Sequence, residues 1–555
     1  GGGGTFGFHL GLPLAEAGDA ELDGTAQLHD ASLTAPDWKL DLEKLNGPLR
    51  FDLHGLQAAA LDTVFHGQPS RLQLAIAGAN ADPATVVSAN LQGSYQMAEL
   101  VQDYPSLNWL GQLGQGRSSF NIGFTLAHQA GSDALAQTLS VDSPLIGIAL
   151  QLPAPLDKPA ATSMPLHLTL SLPVDGSDLR LDLGQVLRGH RRRANGDAQP
   201  LAGSFALGDQ LPPALPARDL RIRGHAATLD VTGWVRQVAT GVSGGGPGLE
   251  SLDVSTDQAG WFGRPLGPLA LRATPQPGAL SVGVKGPAME GNFSVPTQDL
   301  DKRGVTARLA HLYWPKNAAA PPADHGAVSA SGKSAAAVAA APAADPADTG
   351  INPAALPPFH LWIGDLRLGD AKLGEARLES WPTANGMHIE QLRALSRQVQ
   401  ITASGDWNGT PSDSHTHMRI NFSAEDLGAM LGAFGYTGLV QGVKTSDQLD
   451  ATWPGSPSAL SLATMDGILS IHVSDGRIPE ASSPGVGRLL GLVSLAELPR
   501  RLTLDFGDVF GKGLGFDSIK GDFRLADGSA TTSNLVIDGP AANITVTGRT
   551  GLRAR

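Results

Sequence analysis

The chain has 555 residues, 41% of them hydrophobic and 17% charged, a balance that excludes a disordered polymer and demands a large buried surface. Forty basic against 53 acidic residues leave a net charge of −13, which argues against nucleic acid as a partner. The absence of cysteine excludes disulfide scaffolds, cysteine-based zinc sites, iron–sulfur clusters and thiol nucleophiles.

The opening Gly1-Gly2-Gly3-Gly4 carries no initiator Met, basic region or apolar stretch, so the sequence reads as a fragment. Strands are predicted wherever apolar and polar residues alternate, since successive side chains of a strand point to opposite faces. In chain order these are Leu72, Leu74 and Ile76; Phe120, Ile122 and Phe124; and Leu166, Leu168, Leu170 and Leu172, separated by His167, Thr169 and Ser171. Leu179, Leu181 and Leu183 follow, then Met418, Ile420 and Phe422, and Leu469, Ile471 and Val473. The last are Leu502, Leu504 and Phe506; Phe523 and Leu525; and Ile544 and Val546. Asp-Gly steps at Asp23, Asp175, Asp466, Asp475, Asp527 and Asp538 and Asn-Gly steps at Asn46, Asn195, Asn385 and Asn408 suit hairpin turns, so the strands should run as an antiparallel meander.

Short helices are expected over Ala98 to Val101, over Val231 to Val238, and after Ser423, with Leu427, Met430, Leu431 and Phe434 on one side. A further helix should run from Pro484 to Leu498, carrying Val486, Leu489, Leu490 and Val493. It serves either as a plug packed on the sheet or as an amphipathic element meeting a membrane. No apolar run reaches the ~18 residues of a membrane-spanning helix; any bilayer anchor is expected outside these residues. From Lys316 to Pro357 the chain is dominated by Ala and Pro and reads as a flexible loop or linker between residues 1–315 and 358–555.

So few helices cannot cover the apolar face of so much sheet. Three solutions are open: facing sheets with a sealed core, a closed barrel, or one long curled sheet whose apolar side takes an apolar ligand. Frequent glycines within strands favour the curled sheet.

Catalytic signatures are wanting. The stretch Gly326 to Ser334 resembles a phosphate-binding loop but has the wrong glycine spacing. His415 and His417 lack further ligands at metal spacing. Asp505 and Asp508 have no His nearby, and no G-x-S-x-G elbow stands between strand and helix. The basic run His190-Arg191-Arg192-Arg193 reads as a loop tip, with anionic lipid headgroups as the sharper alternative. No enzyme activity, cofactor or metal is expected.

More specific residues stand near the C-terminal end: Leu489-Leu490-Gly491-Leu492-Val493, Leu498-Pro499-Arg500-Arg501-Leu502-Thr503-Leu504-Asp505-Phe506, and Phe510 with Lys512-Gly513-Leu514 and Phe516-Asp517-Ser518-Ile519. Earlier in the chain stand Leu152-Pro153-Ala154-Pro155-Leu156, Leu229-Asp230-Val231 with Gly233-Trp234, and Leu312-Tyr313-Trp314-Pro315. As an ordered set they resemble YhdP-type proteins of the AsmA-like family, with Asp157 standing where Gly is expected. The resemblance implies a Gram-negative cell-envelope protein of the periplasm, held in the inner membrane by an N-terminal helix absent from this fragment. It also implies a role in carrying phospholipid toward the outer membrane and in outer-membrane biogenesis.

Together these lines give a mainly β protein, a long curled antiparallel sheet with a few short helices. Its two β-groove regions lead acyl chains along an apolar lane made by the alternating residues named above. The partners expected are phospholipid and, through segments outside the sequence, the two membranes. A sealed-core β scaffold or an outer-membrane assembly factor is the alternative.

Overall fold

The computed structural model describes residues 2–552 except 13–19, 36–39, 81, 103–107, 130, 173–177, 194–200, 242–247, 316–350, 398, 428–443, 479–513 and 541–542. Its contacts divide the chain into two compact units, Gly1–Asp257 and Gln258–Arg555.

The first unit contains β1 (Gly3–Gly11), β2 (Glu21–Ala35), β3 (Leu40–Asp52), β4 (Gly55–Phe65), β5 (Gln68–Ala77), β6 (Thr85–Tyr95), β7 (Gly114–Gly116), β8 (Ser118–His128), β9 (Leu135–Ser143), β10 (Ile148–Leu150), β11 (Leu166–Ser171), β12 (Leu179–Leu183), β13 (Leu187–Arg193), β14 (Leu201–Leu207) and β15 (Asp219–Asp230). Helices α1 (Met97–Val101), α2 (Asn108–Leu113) and α3 (Val231–Gly241) interrupt them, and the division falls within β16 (Leu249–Trp261). The second unit holds β17 (Arg264–Gln276), β18 (Ala279–Lys285), β19 (Met289–Pro296), α4 (Leu300–Arg303), β20 (Val305–Trp314), β21 (Phe359–Leu368), β22 (Ala371–Thr383), β23 (Gly386–Leu395), β24 (Val399–Thr410), β25 (Asp413–Ala424), β26 (Lys444–Pro454), β27 (Asp466–Ile478), β28 (Leu514–Ala526), β29 (Ser529–Asp538) and β30 (Asn543–Gly551). Apart from β7 and β10, which pair with each other, all strands belong to one 28-stranded sheet that does not close into a barrel. Its ladder is mostly antiparallel, and β14/β15 and β20/β21 pair in parallel.

Turn chemistry explains only part of this ladder. Asn385 ends the turn between β22 and β23, and Asp527-Gly528, both at positive φ, turn β28 into β29. Asp23-Gly24, Asn46-Gly47, Asn408-Gly409 and Asp475-Gly476 instead lie inside strands, where a missing side chain permits bulges and close approach. A Cβ at Gly24 would stand 2.3 Å from the Phe51 ring, so this glycine makes room for the aromatic side chain of the next strand.

The described residues of the first unit form two cores. Leu42, Leu45, Ala58, Leu61, Leu72 and Leu91 make one. Tyr95, Phe120, Leu145, Ile148, Leu150 and Leu183 make the other, with Met97 and Leu100 of α1 packed against it. The helices expected near Ala98 and Val231 are present as α1 and α3. Asp230 Oδ1 accepts from Gly233 N at 2.9 Å at the start of α3, and Trp234 Nε1 donates to Ala154 O at 2.8 Å. Two of the stretches that carry the family resemblance therefore pack on each other.

In the second unit, Met418, Trp453, Met465, Val473, Phe516, Ile519, Phe523 and Leu525 belong to one core. The end of the Ala/Pro-rich stretch is packed: Pro353 is fully buried, as is Pro358 just beyond the stretch, and the turn Pro353–Ala355 lies against β22, β23 and β24. The strands flanking that stretch, β20 and β21, pair directly. Ser423, expected to cap a helix, is a strand residue opposite Gln400 and Ser446, and Leu427 beyond it is buried. The remainder of that helix, the helix at 484–498 with Val486, Leu489, Leu490 and Val493, the strand with Leu502, Leu504 and Phe506, Asp508, and the stretch 326–334 all lie outside the described residues.

Candidate functional site

Residues directly opposite one another on paired strands share a face, so register shows which side chains line up across the sheet. In the second unit one such row crosses twelve consecutive strands, β17 to β28. It runs Ala273, Val282, Phe293, Ala307, Leu361, Leu378, Leu392, Ala403, Ile420, Leu449, Leu469, Phe523. Every member is apolar. At ~4.8 Å per strand the eleven steps span roughly 50 Å. The row one residue along each strand, on the opposite face, is Arg272, Gly283, Asn292, Arg308, Trp362, Arg377, Arg393, Thr402, Asn421, Gln448, Ser470, Asp522. That face belongs to water.

Burial along the apolar row is uneven. Ala273, Ala307, Ala403 and Phe523 are buried, whereas Val282, Phe293, Leu361, Leu378, Leu392, Ile420, Leu449 and Leu469 are only half-buried. A fully sealed core would bury such a row of large aliphatic side chains completely, and here it stays partly uncovered. A flanking row runs Ile363, Ala376, Ala394, Ile401, Phe422 and ends at Asp447. Asp447 is buried, accepts from His472 N at 2.9 Å and from the Thr445 hydroxyl, and burial raises its pKa above the ordinary carboxylate value. On the other side Met418 lies between Gly405 and Ala451, and Leu525 opposite Gly467. Ile471 faces Gly521, and Val473 faces Thr445 and Ile519.

The first unit repeats the pattern across ten of its strands. Leu61, Leu72, Leu91, Ile122, Val141, Leu168, Leu181, Gly189, Phe205 and Ile222 form one row. Its first three members are buried; Ile122, Val141, Leu168, Leu181, Phe205 and Ile222 are half-buried. Beside it run Ala58, Leu74, Ala89, Phe124, Leu139, Leu170 and Leu179, ending at Arg191. A third row links Leu56, Ile76, Val87 and Leu126. Phe120 lies opposite Gly93, and Leu166 opposite Ser143 and Leu183. Leu172 is just beyond β11, its N–H donating to Gln137 O at 3.0 Å. The described residues expected to line a groove thus fall on neighbouring apolar rows within their own units, apart from Leu172, which lies past the strand end.

Several expectations need correction. His190 to Arg193 form the end of β13, not a loop tip, because Asp178 pairs with Arg192 at 2.8 Å and lies 3.7 Å from His190. His417 does have a carboxylate, Asp450 Oδ1 at 2.8 Å on the next strand. It is one of several cross-strand clips on the polar face, with His167 to Asp142 at 2.5 Å, His388 to Asp406 at 2.7 Å, and His360 to Glu379. None of these gathers into a metal-binding set among the described residues. The alanines that complete the twelve-strand row carried no signal in the sequence; only register reveals them.

A family model described as YhdP protein matches residues 1–555. The "Intermembrane phospholipid transporter YhdP" of Escherichia coli (strain K12) is 31% identical over 156 residues, which are 28% of this chain and 12% of that relative. No solved structure matches the chain.

Proposed function

The chain belongs to the YhdP family, and from that premise we propose that it carries phospholipid, with acyl chains lying along the apolar rows and headgroups facing water. The twelve-strand row of the second unit is the observation that carries this reading. Fully burying a Leu, Ile, Val or Phe side chain is worth about 1.5–3 kcal/mol; if about a fifth of that is unclaimed on each of eight half-buried residues, the row offers roughly 2–5 kcal/mol to a bound chain. The acyl chain itself gains about 0.8 kcal/mol for each CH₂ withdrawn from water. Because the row continues without a polar member, each step along it resembles the last, and the barrier to sliding stays low.

Such a trough supplies no directional energy. Direction comes from a gradient or from a partner. By analogy with the relative, whose name places its activity between membranes, the proposal sets the chain in the periplasm of a Gram-negative envelope. Contact with the inner and outer membranes is then made through other segments of the whole protein. Catalysis has no part in it.

Native mass spectrometry of the purified chain, with bound lipids released and identified, tests the reading. Co-purified phospholipid supports it. A lipid-free chain that takes up none from phosphatidylethanolamine and phosphatidylglycerol vesicles favours the sealed scaffold instead.

A further inference from the structure

Two segments of the second unit meet away from the ladder. Arg264, the first residue of β17, donates through Nη2 to Ser458 O at 3.4 Å, in the loop that follows β26. β17 and β26 are the first and tenth strands of the twelve-strand row. Nine ladder steps, roughly 43 Å along the sheet, separate them, so this part of the sheet curls round far enough for its two sides to touch.

The loop from Gly455 to Met465 lies on the apolar side. Its root is held by the Thr416 hydroxyl, which donates to Gly455 O at 2.7 Å, and by Trp453 Nε1, which donates to Ser456 O at 3.0 Å. Thr416 and Trp453 stand opposite each other, four residues along their strands from Ile420 and Leu449 of the row. That even spacing keeps them on the same face, about 13 Å from the row. Farther along the loop Met465 joins the buried cluster of the second unit, and Ala459 and Leu462 pack against it, as do Leu378, Leu392, Ile420, Leu449 and Leu469 of the row. From the other side, Trp261 at the end of β16 brings its ring centroid within 5.6 Å of that of Phe293, another member of the row.

This closure is weakly fastened. Past Gly455 the loop enters no strand pairing among the described residues, and its backbone bonds are local, from Ala459 N to Ser456 O at 2.9 Å and from Thr464 N to Ser461 O at 3.2 Å. Leu460 stays 48% exposed. Arg264 is buried, its Nε has no hydrogen-bond partner, and no ion pair involves it among the described residues. A buried and uncompensated guanidinium is costly, so apolar packing holds the contact shut against the pull of Arg264 toward water. Opening rehydrates the guanidinium and uncovers Ala459 and Leu462, and an acyl chain that takes their place against the cluster offsets the second cost.

We propose that residues 261–264 and the loop 455–465 form a clasp over part of the second unit's apolar face, shut in this structure and displaced when an acyl chain enters. This rests on the proposed lipid-carrying function and adds to it a step of admission. The chain has no cysteine, so the double variant Arg264→Cys/Ser458→Cys carries one pair of thiols that a short bismaleimide can join. Transfer of tail-labelled phospholipid between vesicles should be roughly tenfold slower in the bridged chain than in the same variant with its thiols capped separately by N-ethylmaleimide. Equal transfer overturns the clasp, and so does failure of the bridge to form, since the two positions then do not meet. The unaltered chain supplies a second reading by hydrogen exchange. Dioctanoyl phosphatidylglycerol should speed exchange at the amides of residues 458–464 while those of β25 keep their rates; unchanged or slower exchange in the loop overturns its displacement. If the capped variant is inactive while the unaltered chain transfers lipid, the exchange measurement decides. If the unaltered chain neither binds nor transfers lipid, the lipid-carrying function fails and the clasp with it, a result distinct from transfer that the bridge leaves intact.

Discussion

Ile420 lies near the middle of the second half of the twelve-strand row, between Ala403 and Leu449 across the ladder and between Met418 and Phe422 along its own strand. Replacing it with Asp puts a carboxyl on the path. The ionised form cannot stay against an acyl chain without a large desolvation cost, so the cheapest passage is through the neutral acid. From an ordinary Asp pKa of about 3.9, protonation at pH 7 costs about 4 kcal/mol, near a thousandfold; at pH 5 it costs about 1.5 kcal/mol, near tenfold. The assay is transfer of tail-labelled phospholipid between vesicle populations by the purified chain, run at both pH values. The control is Asn421→Asp, which places the same charge on the exposed face, opposite Thr402 and Gln448. Ile420→Asp should slow transfer by up to those factors and recover about a hundredfold on acidification, while Asn421→Asp transfers at the wild-type rate. Equal losses at both positions, or a block in Ile420→Asp that acidification does not relieve, would refute a one-sided apolar path.

His388 has its pKa raised, chiefly by its hydrogen bond to Asp406 and further by Glu390. Its contribution to stability is therefore complete below the unfolded value near 6.5 and lost as pH rises through the folded one. With the side chain 39% exposed, His388→Gln should lower stability by only a few tenths of a kcal/mol at pH 5.5 and by nothing at pH 9, read from urea midpoints. Asp447 also has a raised pKa, here caused by burial. As pH climbs from about 4 it loses the stability that its neutral form provides, so Asp447→Asn should be more stable than wild type at pH 7 and lose that advantage at pH 3.5. At Gly405 a Cβ would stand 2.1 Å from His417 O and 2.8 Å from Met418 Cα, so the backbone must move. Gly405→Ala should cost about 3 kcal/mol by chemical denaturation, whereas Gly515→Ala, with nothing within 4 Å, should be close to neutral.

Alternation made the strands legible. Leu166, Leu168 and Leu170 against His167 and Thr169 is a pattern that a one-sided strand imposes on its own sequence, and the structure places these residues in β11 with Leu168 and Leu170 on adjoining apolar rows. Pairing was less legible, because register is a relation between distant segments. Leu361 meets Ala307 in parallel across a stretch of more than forty residues, and nothing local announces that partner. Asp-Gly and Asn-Gly steps misled where the glycine serves packing, as Gly24 does beneath Phe51. The density of charge in His190 to Arg193 suggested a solvated loop, yet a strand accommodates it when Asp178 is there to receive Arg192. Arg264 gave no sign at all, since an arginine after a Phe-Gly turn looks like any surface residue until its burial is known.

The central claim is that lipid lies against one face of the sheet, and adjacent residues on β23 test it most directly. Leu392 belongs to the apolar row, half-buried between Leu378 and Ala403, and Arg393 to the polar row between Arg377 and Thr402. A photo-crosslinking benzoylphenylalanine is placed at each in turn, the chain is incubated with phosphatidylethanolamine and phosphatidylglycerol vesicles, and the adducts are read by mass spectrometry. The account predicts phospholipid adducts at position 392 and none at 393; adducts at both positions, or at 393 alone, would contradict it.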